Sequence, residues 1–378
     1  MAKLPAIRDR PAGDDGETKR PVRRRTGGAY LMSSTEHPLS RSTSATPRAV
    51  TFELVAGALC LVLAIALPAY ASVYVLYMAS LVAINAIATV GLNVTVGYTG
   101  LLSIGHSAFI GVGAYAAGLS MLHLGTPLFV NVVIGAVAAF SVGLIFGIPS
   151  LRIKGVYLAI ATLAAQYSLY FLFQQWTSVT GGDRGISLPG TDLFGMGDTG
   201  FYYGVLLVAL VLFVGARNLF RTRIGRSFIA VRERDYAAQV LGINVVRTKL
   251  LAFGIGAAFA GVSGALTAHF LRLVNPDQFT LTVSVFFLAA VVVGGRASIL
   301  GSILGAAFMT LLPEVLREIL SALPIQGQAN VAGLLSPLRE IIFGLLIIGF
   351  LMFEPRGLKG ILDRLLGRRD SVAESEAE

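Results

Sequence analysis

The sequence predicts an all-α, polytopic membrane protein: a bundle of about ten transmembrane helices with both termini in the cytoplasm. Three observations carry that expectation. The 378 residues are 55% hydrophobic and only 13% charged, with a mean hydropathy of +0.74, far more apolar surface than a soluble domain of this length buries. From Leu54 to Leu151 there is no Asp, Glu, Lys or Arg, so about a hundred residues carry only His106 and His123 as groups titrating near neutrality. The basic residues, in excess by a formal +9, collect in some connecting segments and avoid others. An ordinary cytoplasmic enzyme is excluded. One cysteine, Cys60, excludes a disulfide framework and any multi-cysteine metal site.

Residues 1–50 hold ten of the thirty basic residues and five acids among many Ser, Thr, Pro and Gly, which predicts a disordered cytoplasmic tail. The run from Lys19 to Arg25 is a nucleic-acid patch or, ahead of a membrane span, a positive-inside anchor; the second reading is preferred, and no nucleic-acid partner is expected. The first apolar run starts near Phe52, so no cleavable signal peptide is evident, and Met1 and Met32 both stand as possible starts. A span needs about 20 residues. Pro68, the Gly97–Gly100 turn, Thr126-Pro127 and Pro149 divide the charge-free stretch into spans at 52–68, 73–94, 101–122 and 128–148. Further spans are expected at 155–175, 201–216, 250–271, 279–295, 297–316 and 338–353, within a membrane domain of 51–362 that ends in a second disordered tail, 363–378.

Loop charge tests that count. With the N-terminus inside, alternation puts 217–249 in the cytoplasm, where Arg217, Arg221, Arg223, Arg226, Arg232, Arg234, Arg247 and Lys249 face only Glu233 and Asp235. Loop 176–200 falls on the outer side, with Arg184 against Asp183, Asp192 and Asp198. The positive-inside rule is obeyed, and an odd number of spans would break the agreement.

Small residues recur at four-residue spacing as Ser103/Ser107/Gly111, Gly256/Ala260/Gly264/Ala268 and Ala297/Gly301/Gly305. Such stripes let helix backbones approach closely. Alternatively, the breaks at Gly97–Gly100 and Gly294-Gly295 precede short or re-entrant helices along a pathway; on that reading Tyr98, Thr99, Ser103 and His106 line it.

Chemistry is scarce. None of the five lysines closes a G-x-x-x-x-G-K-[ST] phosphate loop, so ATP hydrolysis is not expected in this chain. No H-E-x-x-H, paired intramembrane Asp or His/Cys cluster occurs, and Ser103 and His106 have no carboxylate in their own segment; no catalytic residue, metal site or cofactor is expected. Ion-coupled carriers keep ionisable groups inside the bundle, and here only Glu53, Glu314, His106 and His269 are candidates. In the 217–249 loop, a single helix from Ser227 to Leu241, capped by Ser227 and closed at Gly242, would carry Phe228, Val231, Ala238 and Leu241 as an apolar stripe. It lies on the headgroups or docks into a cytoplasmic partner.

With the loop in place, the chain resembles permease subunits of the bacterial branched-chain amino acid ABC importers, the LivM type. The resemblance rests on Gly91-Leu92-Asn93, Gly97-Tyr98-Thr99-Gly100-Leu101-Leu102-Ser103-Ile104-Gly105-His106, Gly155-Val156-Tyr157-Leu158-Ala159-Ile160-Ala161-Thr162-Leu163, Leu241-Gly242-Ile243-Asn244, Asn275-Pro276 and Phe353-Glu354-Pro355-Arg356-Gly357-Leu358, and covers about 52–362. It implies an ABC importer permease fold in the bacterial cytoplasmic (inner) membrane, with a sister permease, two ABC ATPase subunits, a periplasmic or lipid-anchored substrate-binding protein and the lipid bilayer as partners. Carried over by position, Ala237, Ala238 and Gly242 match the importer loop's A-A-x-x-x-G, with Tyr236 where that pattern has Glu and Asp235 beside it. Arg226, Glu233, Asp235, Ala237, Ala238 and Gly242 are thereby the expected contacts to the ATPase. Thr180-Gly181-Gly182-Asp183-Arg184-Gly185-Ile186 resembles an outer-loop motif, where the alternatives are a disordered connector or a docking surface using Asp183 and Arg184. The implied cargo is a branched-chain, hydrophobic amino acid; a urea or short-amide importer, and an autonomous secondary carrier or channel, are the alternatives.

Overall fold

A computed structural model describes residues 62–151, 153, 155–190, 196–322 and 357–365, with scattered positions between 341 and 352. After α1 (62–70), eight helices among the described residues are long and apolar enough to cross a membrane. Seven of them are α2 (Val73–Asn93, continued as a π-helix over Val94–Tyr98), α3 (His106–Leu124), α4 (Leu128–Gly147), α5 (Val156–Gln175), α6 (Gly197–Arg221), α9 (Val245–Leu271) and α11 (Ile299–Ala322). The eighth joins a 3-10 turn at Pro276–Phe279 to α10 (Leu281–Gly294). They coincide with the second to ninth expected spans. Of the first, only 62–70 is described; 338–353 and the tail 1–50 lie wholly or mostly outside the described residues. A last helix, α12 (Gly357–Leu365), passes the expected boundary at 362.

Helix α9 is the axis of the bundle, with 72% of its apolar window buried. It packs on α4, α3 and α2, and glycine makes that possible. A Cβ at Gly135 of α4 would stand 2.9 Å from the Gly113 carbonyl oxygen of α3 and 3.0 Å from that of Gly261 on α9. A Cβ at Gly256 would stand 2.9 Å from the Gly91 carbonyl oxygen. Hydrophobic transfer supplies no association energy between helices already in lipid, so backbone contact of this kind is what holds them together.

Three local expectations are corrected. The third span starts at His106, not 101, because 99–105 leaves the helix after Gly100 (φ +71°). The helices that follow the two Gly breaks are not short; the short one is α10, about 21 Å at 1.5 Å per residue, which precedes the second break. The 217–249 segment is two helices rather than one: α7 (Arg223–Glu233), capped by the Thr222 hydroxyl, and α8 (Asp235–Val240). Arg234 between them is extended at φ −154°, ψ 109°. Ser227 lies inside α7 and donates its hydroxyl to the Ile224 carbonyl at 2.7 Å, so it caps nothing. Gly242, at φ +81°, does close the segment, its N–H reaching the Gln239 carbonyl at 3.0 Å.

At the other end of the bundle the loop after α5 is folded over its described residues. A short antiparallel ladder pairs β1 (Ile186–Ser187) with β2 (Leu273–Val274), and Leu188 N–H donates to the Arg272 carbonyl at 2.8 Å. The loop after α5 is therefore fastened to the end of α9.

Glycine contacts of different kinds give a graded expectation. A Cβ at Gly111 would meet the Phe173 ring at 2.6 Å, and rings can turn; at Gly261 it would meet the Gly135 backbone, which cannot. Gly111→Leu is expected to lower the thermal unfolding midpoint in proportion to an overpacking cost of about 1–3 kcal/mol, and Gly261→Leu to abolish the monodisperse folded protein. Equal stability of Gly261→Leu and the parent in detergent unfolding scans would refute the backbone constraint.

Candidate functional site

The two helix breaks meet. In α2 the α-helix gives way to a π-helix at Val94–Tyr98, a distortion frequent at functional sites. Opposite it, α10 ends at Gly294, and Ala297 takes φ +57°, a left-handed conformation costly for a residue with a Cβ. Asn93, fully buried, joins the two. Its Oδ1 accepts from Ala297 N–H at 3.0 Å, and its Nδ2 donates to the Ser298 carbonyl at 3.0 Å and to the Ser302 hydroxyl at 2.6 Å. A Cβ at Gly97 would stand 2.6 Å from Ala297 N, so the missing side chain is what admits the second break.

The 217–249 segment grips the same junction. Arg232 of α7 donates from Nη1 to the Gly97 carbonyl at 2.9 Å, one of the acceptors released where the helix ends, and its stem lies over Gly100. Phe228, fully buried, packs in one cluster with Val94, Tyr98, Leu101 and Phe253. Tyr98 stacks on Phe220 of α6 with ring centroids 3.5 Å apart. Asp235, freed by the extended Arg234, pairs with Lys249 at the start of α9, Oδ2 to Nζ 2.8 Å.

Of the expected ATPase contacts, Arg226, Glu233, Ala237 and Gly242 are exposed, Asp235 is half-buried in its ion pair, and Ala238 is buried within the chain. The apolar stripe is thus divided. Phe228, Val231 and Ala238 face inward, whereas Tyr236, Val240 and Leu241 are exposed at 79%, 72% and 79%.

The four path candidates are all buried. Tyr98 and Thr99 belong to the junction, where the Thr99 hydroxyl donates to the Val94 carbonyl at 2.6 Å. Ser103 lies in the non-helical 99–105 segment. His106 opens α3, its Nε2 2.9 Å from the Ala88 carbonyl oxygen. The amides at this helix start are answered by other helices: Ile104 N–H by the Thr162 hydroxyl at 3.0 Å, Ser107 N–H by the Ser284 hydroxyl at 2.9 Å, and Ala108 N–H by Gln166 Oε1 at 2.9 Å. Gln166 Nε2 in turn donates to the Phe279 carbonyl at 2.6 Å. Asp183 and Arg184 are exposed on a 3-10 turn at the far end of the bundle, away from this junction.

The other ionisable candidates are partnered. His269 Nε2 accepts from Asn131 Nδ2 at 3.1 Å; Glu314 pairs with Arg317 at 2.7 Å and accepts from the Tyr74 hydroxyl. Glu53 lies outside the described residues. No group of His, Cys, Asp or Glu suited to a metal ion occurs among the described residues. Sequence reasoning passed over Asn93, Gln166 and the pairing of Lys249. The available signal was polarity: Asn93 and Gln166 are large amides in apolar spans, where such groups need partners.

Asn93→Ala would strand the buried Ala297 N–H, the Ser298 carbonyl and the Ser302 hydroxyl, at about 1–3 kcal/mol for each group left unsatisfied. Expected is a clear drop in the unfolding midpoint and increased proteolytic cleavage near 294–298. A variant as stable and protease-resistant as the parent would dissociate Asn93 from the junction.

Comparison with known proteins fits this architecture. The family described as "Branched-chain amino acid transport system / permease component" matches residues 74–351. The high-affinity branched-chain amino acid transport system permease protein LivM of Escherichia coli (strain K12) is 37% identical over 286 residues, 68% of this chain and 67% of that protein. A probable LivM of Methanocaldococcus jannaschii is 25% identical over 311 residues, covering 72% and 89% of the two chains. The autoinducer 2 import system permease protein LsrC of Enterobacter sp. (strain 638) is 29% identical over 287 residues, covering 74% and 77%. No solved structure gives a significant match. With eight apolar helices and a family match spanning most of its length, the chain belongs to the branched-chain amino acid transport system permease family.

Proposed function

We propose that this chain is the membrane-spanning permease subunit of an ATP-driven importer of branched-chain, hydrophobic amino acids in the bacterial cytoplasmic membrane. It is not itself the enzyme: ATP is hydrolysed by two ABC ATPase subunits, a sister permease completes the path, and a periplasmic or lipid-anchored binding protein delivers the cargo. The cargo assignment follows the relatives: identity to LivM of E. coli is 37%, against 29% to LsrC of Enterobacter.

The observation that carries the mechanism is the grip of α7 on the junction, through Arg232 and the Gly97 carbonyl. The segment 217–249 acts as the coupling loop. Its exposed residues, Arg226, Glu233, Ala237, Gly242, Tyr236, Val240 and Leu241, meet the ATPase, and Asp235 and Ala238 hold the segment on its own bundle. Movement of the loop displaces Tyr98 and Thr99 directly and reaches Ser103 and His106 through the non-helical 99–105 segment. An autonomous carrier would have no use for an exposed apolar edge on a basic cytoplasmic loop. Loop 176–200 docks the binding protein, with Asp183 and Arg184 setting orientation and association rate.

Leu241→Asp, at an exposed position, is expected to leave folding intact and to reduce substrate-stimulated ATP hydrolysis at least about tenfold by placing an unpaired charge in the ATPase groove. Ala238→Asp, buried in the chain itself, is expected to lose folded protein instead. Normal coupling in Leu241→Asp proteoliposomes would reject this edge as the ATPase contact. On the outer side, Asp183→Arg and Arg184→Glu are expected to raise the binding-protein concentration for half-maximal ATPase stimulation without changing basal hydrolysis. An unaltered titration for both reversals would remove these residues from the docking surface.

A further inference from the structure

At the end of the bundle opposite the coupling loop, a cavity of about 310 Å³ opens between α2, α6 and the end of α9. That volume is at the small end of ligand pockets. Its wall is mixed: Leu76, Phe201 and Phe270, with Tyr77 stacked on Phe270 at 4.6 Å between ring centroids, beside the buried polar side chains of Ser80 and His269. Its rim carries one cation and one anion, Arg272 and Asp198.

Two features of this rim bear on what it can hold. Arg272 is one of only two non-glycine residues with positive φ among the described residues, at +57°; the other, Ala297, sits at the junction above. Backbone held in that region is costly and persists where surrounding structure enforces it. Here the Arg272 carbonyl is held by Leu188 N–H of the outer loop, and Gly190 of the same loop lies beside the guanidinium, a Cβ there standing at an ordinary contact distance of 3.4 Å from Arg272 Cζ. The second feature is the looseness of the pair itself. Nη2 and Oδ1 are 3.5 Å apart, with the side chains 54% and 72% exposed, a geometry in which an ion pair holds together weakly. Both charges are open to a better partner.

We propose that this cavity is an outer subsite for a free α-amino acid with an apolar side chain. The ligand carboxylate lies on the Arg272 guanidinium, its ammonium on the Asp198 carboxylate, and its side chain against Leu76, Phe201 and Phe270. A zwitterion inserted between the two residues exchanges one loose contact for two charge-assisted ones. An amino acid lacking either charge leaves one rim residue unanswered. The Leu188 N–H bond to the Arg272 carbonyl joins the subsite to the loop assigned to the binding protein. The proposal rests on the importer reading above.

The test uses the assembled permease and ATPase complex, purified without the binding protein, with radiolabelled L-leucine in equilibrium dialysis and leucinamide and N-acetylleucine as competitors. In the parent, both analogues are expected to bind at least about tenfold more weakly than leucine, a charged hydrogen-bonding contact being lost in each. Arg272→Gln should weaken leucine by a similar factor and leave leucinamide at its parental value. Asp198→Asn should weaken leucine and leave N-acetylleucine unchanged. No leucine binding by the parent, or equal losses for all three ligands in each variant, would overturn the subsite; the parental comparison of analogues needs no variant to fold. ATP-dependent leucine uptake by the same complex with its binding protein, in proteoliposomes, is scored separately. Uptake without the crossed pattern of affinities defeats the subsite alone, and absence of parental uptake defeats the importer reading.

Discussion

A backbone group released from a helix inside a bilayer has no water to bind, and the arrangement of this chain follows from where such groups are answered. Two helices are interrupted and a third starts late. Each interruption would be prohibitive in lipid. Each is met by a side chain from far along the sequence: Asn93 serves Ala297 and Ser298, Arg232 serves Gly97, Thr162 serves Ile104, and Gln166 serves both Ala108 and Phe279. The released backbone groups named here are therefore answered between helices, where protein donors and acceptors replace solvent, although Gly100, Leu102 and Arg296 of the same segments are exposed.

Glycine provides the other half of the same economy. Breaks can be answered from a neighbouring helix only when that helix is very near, and Gly91, Gly256 and Gly261 bring α2, α4 and α9 to backbone contact. Gly97 does this at the junction itself, where any side chain would displace Ala297. The abundance of glycine in an apolar chain thus reflects packing far more than turns. The turn positions with positive φ, such as Gly100 and Gly242, are a separate and smaller use.

What was legible in the sequence was whatever depends on local composition. Hydropathy and punctuation by Pro and Gly located the eight spans that are described, because partition into lipid is decided window by window. Gly242 was legible as a helix stop for the same reason: its conformation is its own. The start of α3 was not legible, since the apolar run is continuous from Leu101 and the helix begins at His106 only where Gln166 and Ser284 supply acceptors. Nor was the division of the loop into α7 and α8, which follows from Asp235 turning toward Lys249, fourteen residues on. Asn93 stood in plain view within a motif, but its partners lie 204 to 209 positions away, a separation no local pattern encodes. The inward turn of Ala238 was hidden likewise: periodicity puts it on an apolar stripe without saying which body the stripe covers.

Helix α9 connects what these groups do. At its first turns Lys249 holds the 217–249 segment, and just past its last residue Arg272 holds the loop after α5. Its 27 residues span about 40 Å at 1.5 Å per residue, enough to cross the hydrocarbon core with both anchors outside it. A helix locked by glycine contacts to three neighbours has little freedom to bend, because close-packed backbones cannot slide without losing contact along their whole length. Under the proposed coupling, displacement entering at α7 is taken up elsewhere, at positions whose geometry is already costly: the π-helix of α2, the non-helical 99–105 segment and the strained Ala297. These are joined to one another through Asn93 and to α7 through Arg232, so they respond together. The breaks are the compliant part and α9 the stiff part. In that proposal a stiff axis keeps the Lys249 and Arg272 anchors at a fixed separation while the helices beside them move.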